Sequence, residues 1–100
     1  MIRWMSTARI SAGKGVAAFQ WVNEIVELSM KIKGAAQPGV YGDFFGEPGT
    51  IRVFADYDDL AAFESVSNEL LADEAYLKKM EEATDLFIDG SHRTVIMRGI

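Results

Sequence analysis

The chain has 100 residues, of which 49% are hydrophobic, 25% charged and 11% aromatic. This length and composition predict one globular domain spanning residues 1–100, and they exclude a disordered, collagen-like or disulfide-stapled chain. The formal net charge of −5 argues against nucleic acid or an anionic membrane as the main partner, because both attract clustered positive charge.

The sequence contains no Cys and a single His, His92. The absence of Cys excludes thiolate nucleophiles, redox pairs and zinc ribbons, and it fits a reducing cytoplasm, where we expect the protein. One His excludes a metal site with several histidine ligands within one chain, so we expect no metal. Residues 1–10 lack the continuous apolar core of a signal peptide. No run approaches the roughly 20 apolar residues of a membrane helix, so we expect no membrane association.

The first half of the chain predicts a strand, a helix and a hairpin. Residues 1–10 alternate polar and apolar side chains, as a strand does, and a glycine-rich turn follows them. Residues 16–33 place apolar side chains three and four positions apart, which is typical of an amphipathic helix. Residues 40–45 and 50–57 resemble strands and are separated by a short turn that contains Gly and Pro, so they predict an antiparallel hairpin.

The second half predicts a broken helical region and a final strand. Asp58 or Asp59 is positioned to cap the first helix of this region. A second cap is predicted at the Ala72-Asp73 step, after which the helix resumes and continues to Phe87. Residues 91–100 alternate again as a strand. The resulting order, βαββαβ, predicts a ferredoxin-like α+β sandwich with a four-stranded antiparallel sheet.

The predicted strands carry apolar side chains on both faces, although two helical segments cover only one face of such a sheet. On the first strand Trp4 and Met5 point to opposite faces. On the third strand Val53 and Phe54 do the same. The simplest cover for the second face is another copy of the chain, because homodimers are the commonest closed assembly and a small domain gains from extra burial. We therefore expect a homodimer, and the alternative is a monomer with scattered surface hydrophobic residues.

Short segments at the joints between elements carry a family resemblance. They are Arg9-Ile10, the turn AGK at 12–14, FFGEPGT at 44–50, FADYDDL at 54–60 and LADEAY at 71–76. With them the chain resembles the dimeric α+β-barrel superfamily, in particular its NIPSNAP-like and antibiotic-biosynthesis-monooxygenase-like branches. The resemblance implies a dimer with two facing sheets and a pocket between the helices and the sheet of each subunit.

The same resemblance covers several activities and no catalytic signature. The superfamily includes cofactor-free monooxygenases, haem-degrading enzymes, small-lactone isomerases and proteins with no known activity. Its haem-degrading members use a histidine on a helix and an asparagine on the first strand. Here residues 1–10 contain no Asn, and His92 lies at the start of the last strand, outside both helices. We therefore expect no haem and no other cofactor.

The single histidine is the first candidate for acid–base chemistry. Strand alternation allows His92 to share one face with charged residues of other strands, namely Arg3, Arg52 and Asp56. Such a cluster suits a carboxylate or enolate-like ligand, and His92, Arg52 and Asp56 are the catalytic candidates. The structural alternative is that Arg52 and Asp56 form ion pairs at the rim of a dimer and that His92 is solvated at a strand end.

Aromatic side chains are the candidates for ligand binding. They are Trp4, Trp21, Tyr41, Phe44, Phe45 and Phe54. They can line an apolar pocket for an aromatic or polyketide-like compound, although aromatic residues on strands more often belong to a core or an interface. Two functions therefore stay open. One is a homodimer that binds a small molecule or a partner, and the other is a cofactor-independent monooxygenase or isomerase acting on a small aromatic or polyketide-like substrate.

Overall fold

The computed structural model describes residues 1–43 and 45–100. Its elements are β1 (Ile2–Arg9), α1 (Gly15–Ser29), β2 (Gly39–Gly42), β3 (Thr50–Tyr57), α2 (Leu60–Leu71), α3 (Glu74–Glu81) and β4 (Arg93–Arg98). The strands form one 4-stranded antiparallel sheet in the order β2-β3-β1-β4. The ferredoxin-like α+β arrangement predicted from the sequence is confirmed.

An aspartate is the N-cap of each of the two helices in the second half of the chain, α2 and α3. The Asp59 carboxylate accepts a hydrogen bond from the Ala62 amide at 2.8 Å. The Asp73 carboxylate accepts one from the Tyr76 amide, also at 2.8 Å. Each bond satisfies an amide that has no partner within its own helix. The predicted break at Ala72-Asp73 therefore follows from a second cap, which starts α3 as a separate helix.

Two helices end earlier than the sequence predicts. α1 ends at Ser29, whose hydroxyl donates to the Val26 carbonyl at 2.8 Å, and tighter i,i+3 bonds replace the helical pattern in the next turn. α3 ends at Glu81 instead of continuing to Phe87. Phe87 forms an isolated antiparallel bridge with Ile10, so pairing with the sheet takes precedence there over helix propagation.

Two strands are also shorter than predicted. The strand predicted over 40–45 is β2, Gly39–Gly42, and Phe44 lies outside the described residues. The strand predicted over 91–100 is limited to β4, Arg93–Arg98, which is the length that pairs with β1. The third strand, Thr50–Tyr57, has the predicted bounds.

Strand pairing assigns each residue to one of two faces of the sheet. On the helix face, Trp4 of β1 lies opposite Ala55 of β3, and both contribute to the space beneath the helices. On the other face, which we call the open face, Met5 lies between Phe54 of β3 and Val95 of β4. Apolar side chains therefore occupy both faces, as the sequence predicts, and the helices cover only one.

Small side chains form the buried core. The buried apolar residues are Ala8, Ala18, Val22, Ile51, Ala55 and Val66. Among the residues that the structure describes, no large side chain is fully buried. Protein interiors are normally packed as densely as organic crystals. The larger side chains between the sheet and the helices therefore surround an open space instead of filling it.

Candidate functional site

A cavity with two lobes lies between the sheet and the helices. The tyrosine lobe, about 240 Å³, is lined by Tyr57, Phe63 and Leu70 among others. The histidine lobe, about 280 Å³, is lined by Ser6 and His92 among others. The two lobes share the side chains at their junction, which are Trp4, Ile25, Val26, Val53 and Tyr76. Because the junction residues are common to both, the lobes adjoin each other along β1.

The histidine lobe contains a compact polar group in an otherwise apolar wall. The Nε2 atom of His92 lies 2.6 Å from the Ser6 hydroxyl and 3.3 Å from that of Thr94. This geometry follows from the register, since Ser6 pairs with Thr94 and His92 lies two residues before Thr94, on the same side of the strand. An imidazole that contacts a hydroxyl beside an apolar cavity is suited to accept and return a proton.

The outer wall of the histidine lobe joins α1 to α3. The indole Nε1 of Trp21 donates to the Lys79 carbonyl at 2.7 Å, and its ring meets Phe87 edge-on with centroids 5.6 Å apart. The Lys79 ammonium forms ion pairs with Glu24 of α1 and with Glu82, the latter at 3.0 Å. Trp21 therefore lines the cavity and also connects α1 to α3 through its hydrogen bond to Lys79.

Two phenols, Tyr57 and Tyr76, and the side chains of Ser29 and Ser67 are the polar groups of the tyrosine lobe. The Tyr57 ring meets Phe63 edge-on, with centroids 5.6 Å apart. Burial raises the pKa of Tyr57 above its ordinary value, and the backbone of Ala36 partly offsets this effect. Burial also raises the pKa of Tyr76, and the neighbouring Tyr57 adds to that rise. Both phenols therefore keep their protons at neutral pH, where a phenol O–H is a hydrogen-bond donor.

The polar cluster proposed from strand alternation does not form. Arg3 and Asp56 lie on the open face, where the Arg3 Nε donates to the Asp56 carboxylate at 2.7 Å. Arg52 also lies on that face, and its Nε donates to Asp43 at 2.9 Å. His92 lies on the helix face with Ser6, so the sheet separates it from all three. The correction has a simple cause, because alternation fixes faces within a strand but not the register between strands.

The two arginine–carboxylate ion pairs of the open face have a structural role. The hydrogen bond from Arg3 lowers the pKa of Asp56 below its ordinary range, although partial burial opposes it. The hydrogen bond from Arg52 lowers the pKa of Asp43 in the same way. Both carboxylates are therefore weak bases whose oxygens already accept hydrogen bonds from the arginines, which does not suit a general base. Arg52 and Asp56 do form ion pairs, with Asp43 and Arg3 as their partners, and His92 is exposed directly before β4, as the structural alternative expects apart from the dimer.

The predicted aromatic pocket is divided between two faces and a loop. Trp4 and Trp21 line the cavity on the helix face. Tyr41 and Phe54 stack on the open face, with centroids 5.5 Å apart and an interplanar angle of 7°. Phe45 is 88% exposed in the connection between β2 and β3. Phe44 is outside the described residues. The prediction of a single aromatic pocket is therefore corrected, because among its described members only Trp4 and Trp21 line the cavity.

Sequence reasoning missed three polar residues of the cavity, which are Ser6, Tyr57 and Tyr76. Ser6 shares the face of Trp4 by simple alternation, so the sequence did contain a signal for it. Tyr57 shares the face of Val53 by the same alternation within β3. Tyr76 follows the Asp73 cap, but only the packing of α3 across the sheet brings it to the junction of the lobes.

Two negative observations concern residues 1–43 and 45–100. In these ranges no group of three or more His, Asp or Glu side chains is arranged to hold a metal ion. No helix within the same ranges is long and apolar enough to cross a membrane.

Comparison with known proteins identifies the fold. No protein-family model matches the sequence, and no curated protein matches it significantly. An uncharacterised NIPSNAP domain protein from Burkholderia xenovorans superposes with a TM-score of 0.84 at 18% identity, over 100% of this chain and 95% of the other. A NIPSNAP family protein of unknown function from Agrobacterium tumefaciens gives 0.79 at 20% identity, over 97% and 86%. An antibiotic biosynthesis monooxygenase gives 0.76 at 15% identity, over 100% and 99%.

These likenesses extend over nearly the whole chain in each case. The chain therefore has the α+β fold shared by NIPSNAP domain proteins and antibiotic biosynthesis monooxygenases, in agreement with the resemblance seen in the sequence. It is a small α+β protein of that fold with an apolar cavity beneath its helices.

Proposed function

We propose that the protein is a homodimer that binds a small apolar or aromatic molecule in the cavity of each subunit. The observation that carries the proposal is the open interior, since the buried core consists of alanine and β-branched aliphatic side chains while Trp4, Trp21 and Tyr76 surround free space. We also assign it to the cytoplasm, on the ground that a chain without Cys fits a reducing compartment.

The lining of the cavity supports a ligand over a purely structural role. The walls are mostly aliphatic and aromatic side chains with a few hydroxyls and one imidazole, which is the usual composition of a small-molecule site. Apolar surface left in contact with water forgoes about 25 cal/mol for each Å² that burial would contribute. An apolar ligand recovers that free energy, which is a sizeable gain for a domain of this length.

The open face supports the homodimer. Met5 and Phe54 form its centre, and Val95 and Met97 extend it across β4, which is exposed throughout in the single chain. Two copies packed face to face would bury this apolar surface, as dimer interfaces do. The helix face, with its cavity, stays accessible in such an arrangement.

Intrinsic fluorescence provides a direct test of ligand binding. The chain has two Trp residues, and both line the cavity. With biphenyl as probe, we expect a saturable change in Trp emission that is lost when the protein is unfolded in denaturant. A change that rises linearly without saturation would contradict the proposal, because it would indicate non-specific partitioning and not a site of fixed size.

A second candidate function is a cofactor-independent monooxygenase or isomerase with a small aromatic or polyketide-like substrate. The contact of His92 Nε2 with Ser6 at the cavity wall favours it, because both reactions begin with removal of a proton from the substrate. In the isomerase the proton returns to another carbon. In the monooxygenase the electron-rich anion reacts with O₂, one oxygen atom enters the product as a carbonyl, and the other leaves as water. The structural neighbour named as a monooxygenase suggests this chemistry for the fold.

Oxygen uptake tests the second candidate with 1-naphthol as probe. We expect one O₂ consumed for each 1,4-naphthoquinone formed, with water as the other product. His92→Ala should abolish turnover and leave the mass of the dimer unchanged. Asp89→Ala, at an exposed position, should keep the turnover of the unmodified protein. Equal turnover in His92→Ala, or none in the unmodified protein, would reject this candidate and leave the binding function in place.

A further inference from the structure

We infer that one elongated, uncharged molecule with an oxygen function near each end occupies both lobes of the cavity at once. This inference rests on the proposed binding function and specifies the chemical class of the ligand. The histidine lobe binds one end through Ser6 and His92, and the tyrosine lobe binds the other through Tyr57.

The continuity of the two lobes supports a single ligand. Both lobes are bounded by the same side chains of β1 and β3, Trp4 and Val53, and by the same helical residue, Tyr76. A molecule that fills one lobe therefore contacts side chains that also line the other, and a single ligand would pass along these shared side chains. The aromatic faces of Trp4 and Tyr76 at this junction favour a flat or ring-containing middle section.

The distance between the polar groups sets the length of the ligand. Tyr57 pairs with Ile2 of β1, whereas Ser6 lies on the same strand and the same face. Ile2 and Ser6 are four residues apart on an extended strand, so the backbone positions of Tyr57 and Ser6 are roughly 13 Å apart along the strand direction. A ligand with a single ring reaches only one of these polar ends, whereas a ligand with two or more linked rings reaches both.

The lack of acidic and basic side chains in the walls disfavours ionic ligands. Among the described residues that line either lobe, none is Asp, Glu, Lys or Arg. In such a space an ammonium finds no ion-pair partner, and a carboxylate finds none other than His92, so at least one charge of a dicarboxylate loses its hydration without compensation. Hydroxyl and carbonyl oxygens do find partners there, because the phenol of Tyr57 donates and the Ser6–His92 pair both donates and accepts.

Four biphenyl probes test the inference by titration calorimetry with the unmodified protein. The probes are biphenyl, 4-hydroxybiphenyl, 4,4′-dihydroxybiphenyl and biphenyl-4,4′-dicarboxylate. We expect one molecule of the diol per chain, about tenfold or more tighter binding of the diol than of biphenyl, and intermediate binding of the mono-ol. The dicarboxylate should bind at least tenfold more weakly than the diol, because at least one of its charges is unpaired in the cavity.

Two conservative variants assign the ends. Ser6→Ala and Tyr57→Phe each remove one hydroxyl without changing the shape of the wall, and each should weaken the diol about fivefold while leaving biphenyl unchanged. Matched controls are Ser65→Ala, on the exposed surface of α2, and Tyr41→Phe, on the open face; neither should change the affinity for any probe.

The outcomes separate this inference from the function on which it rests. If no probe binds, the proposed binding function fails and the inference fails with it. If biphenyl binds but the diol is no tighter, if the dicarboxylate binds as well as the diol, or if each chain takes two molecules, the inference is overturned while the binding function stands.

Discussion

Val95→Arg is expected to convert the proposed homodimer into a monomer at low micromolar concentration, measured by light scattering after size-exclusion chromatography. Val95 lies next to Met5, in the middle of the edge strand β4 on the open face, and is 45% exposed in the single chain. A face-to-face dimer would bury an arginine there near Arg3 and Arg93 of the same face. Because a guanidinium cannot lose its charge in a protein, we expect a cost on the order of 3 kcal/mol, or about a hundredfold in the dimer dissociation constant.

Ile96→Arg is the matched control for this result. Ile96 is the next residue of β4 and is 49% exposed, but it pairs with Trp4 and therefore belongs to the helix face. The same charge is introduced into the same strand at nearly the same exposure, so any general effect on β4 appears in both variants. Dissociation by both variants would show that damage to the edge strand, and not the loss of an open-face interface, separates the subunits. A dimer that survives Val95→Arg would contradict the proposed interface.

The order of elements was predictable from sequence because each one has a strong local signal. Alternation over β1 and β3, and the aspartates at 59 and 73, specify strands and helix starts through interactions within a few residues. The ends of α1 and α3 were predicted less well. The end of α3 depends on the bridge between Phe87 and Ile10, which are distant in sequence, and no periodicity within the helix reports such a contact.

The composition of the site was less predictable for the same physical reason. Within β1 the alternation correctly separates Ser6 from Arg3, but it carries no information about which of them shares a face with His92. That choice depends on the register between β1 and β4, and a shift by one residue would have reversed it. Likewise, Trp4 and Phe54 look alike as strand aromatics, although one faces the cavity and the other faces away from the helices.

Val53→Phe is expected to abolish binding of biphenyl and, at the same time, to raise the free energy of unfolding by about 1 kcal/mol. Val53 lies at the junction of the two lobes, on a strand position where an aromatic residue has good intrinsic propensity. The larger ring would occupy the space proposed for the ligand and bury its own surface in place of the ligand. Titration by Trp fluorescence measures the binding, and denaturant unfolding of the ligand-free protein measures the stability.

The opposite signs of these two effects distinguish a binding cavity from an ordinary core. In a fully packed core, enlarging Val53 would strain its neighbours and lower the free energy of unfolding by about 1–3 kcal/mol. In a protein that keeps its interior open for a ligand, the same change fills a space and stabilises the fold. Val16→Phe, at a site on α1 that is 77% exposed, makes the same substitution where neither effect is expected. A destabilised Val53→Phe that still binds biphenyl would mean that the helices close over the sheet and that the ligand site lies elsewhere.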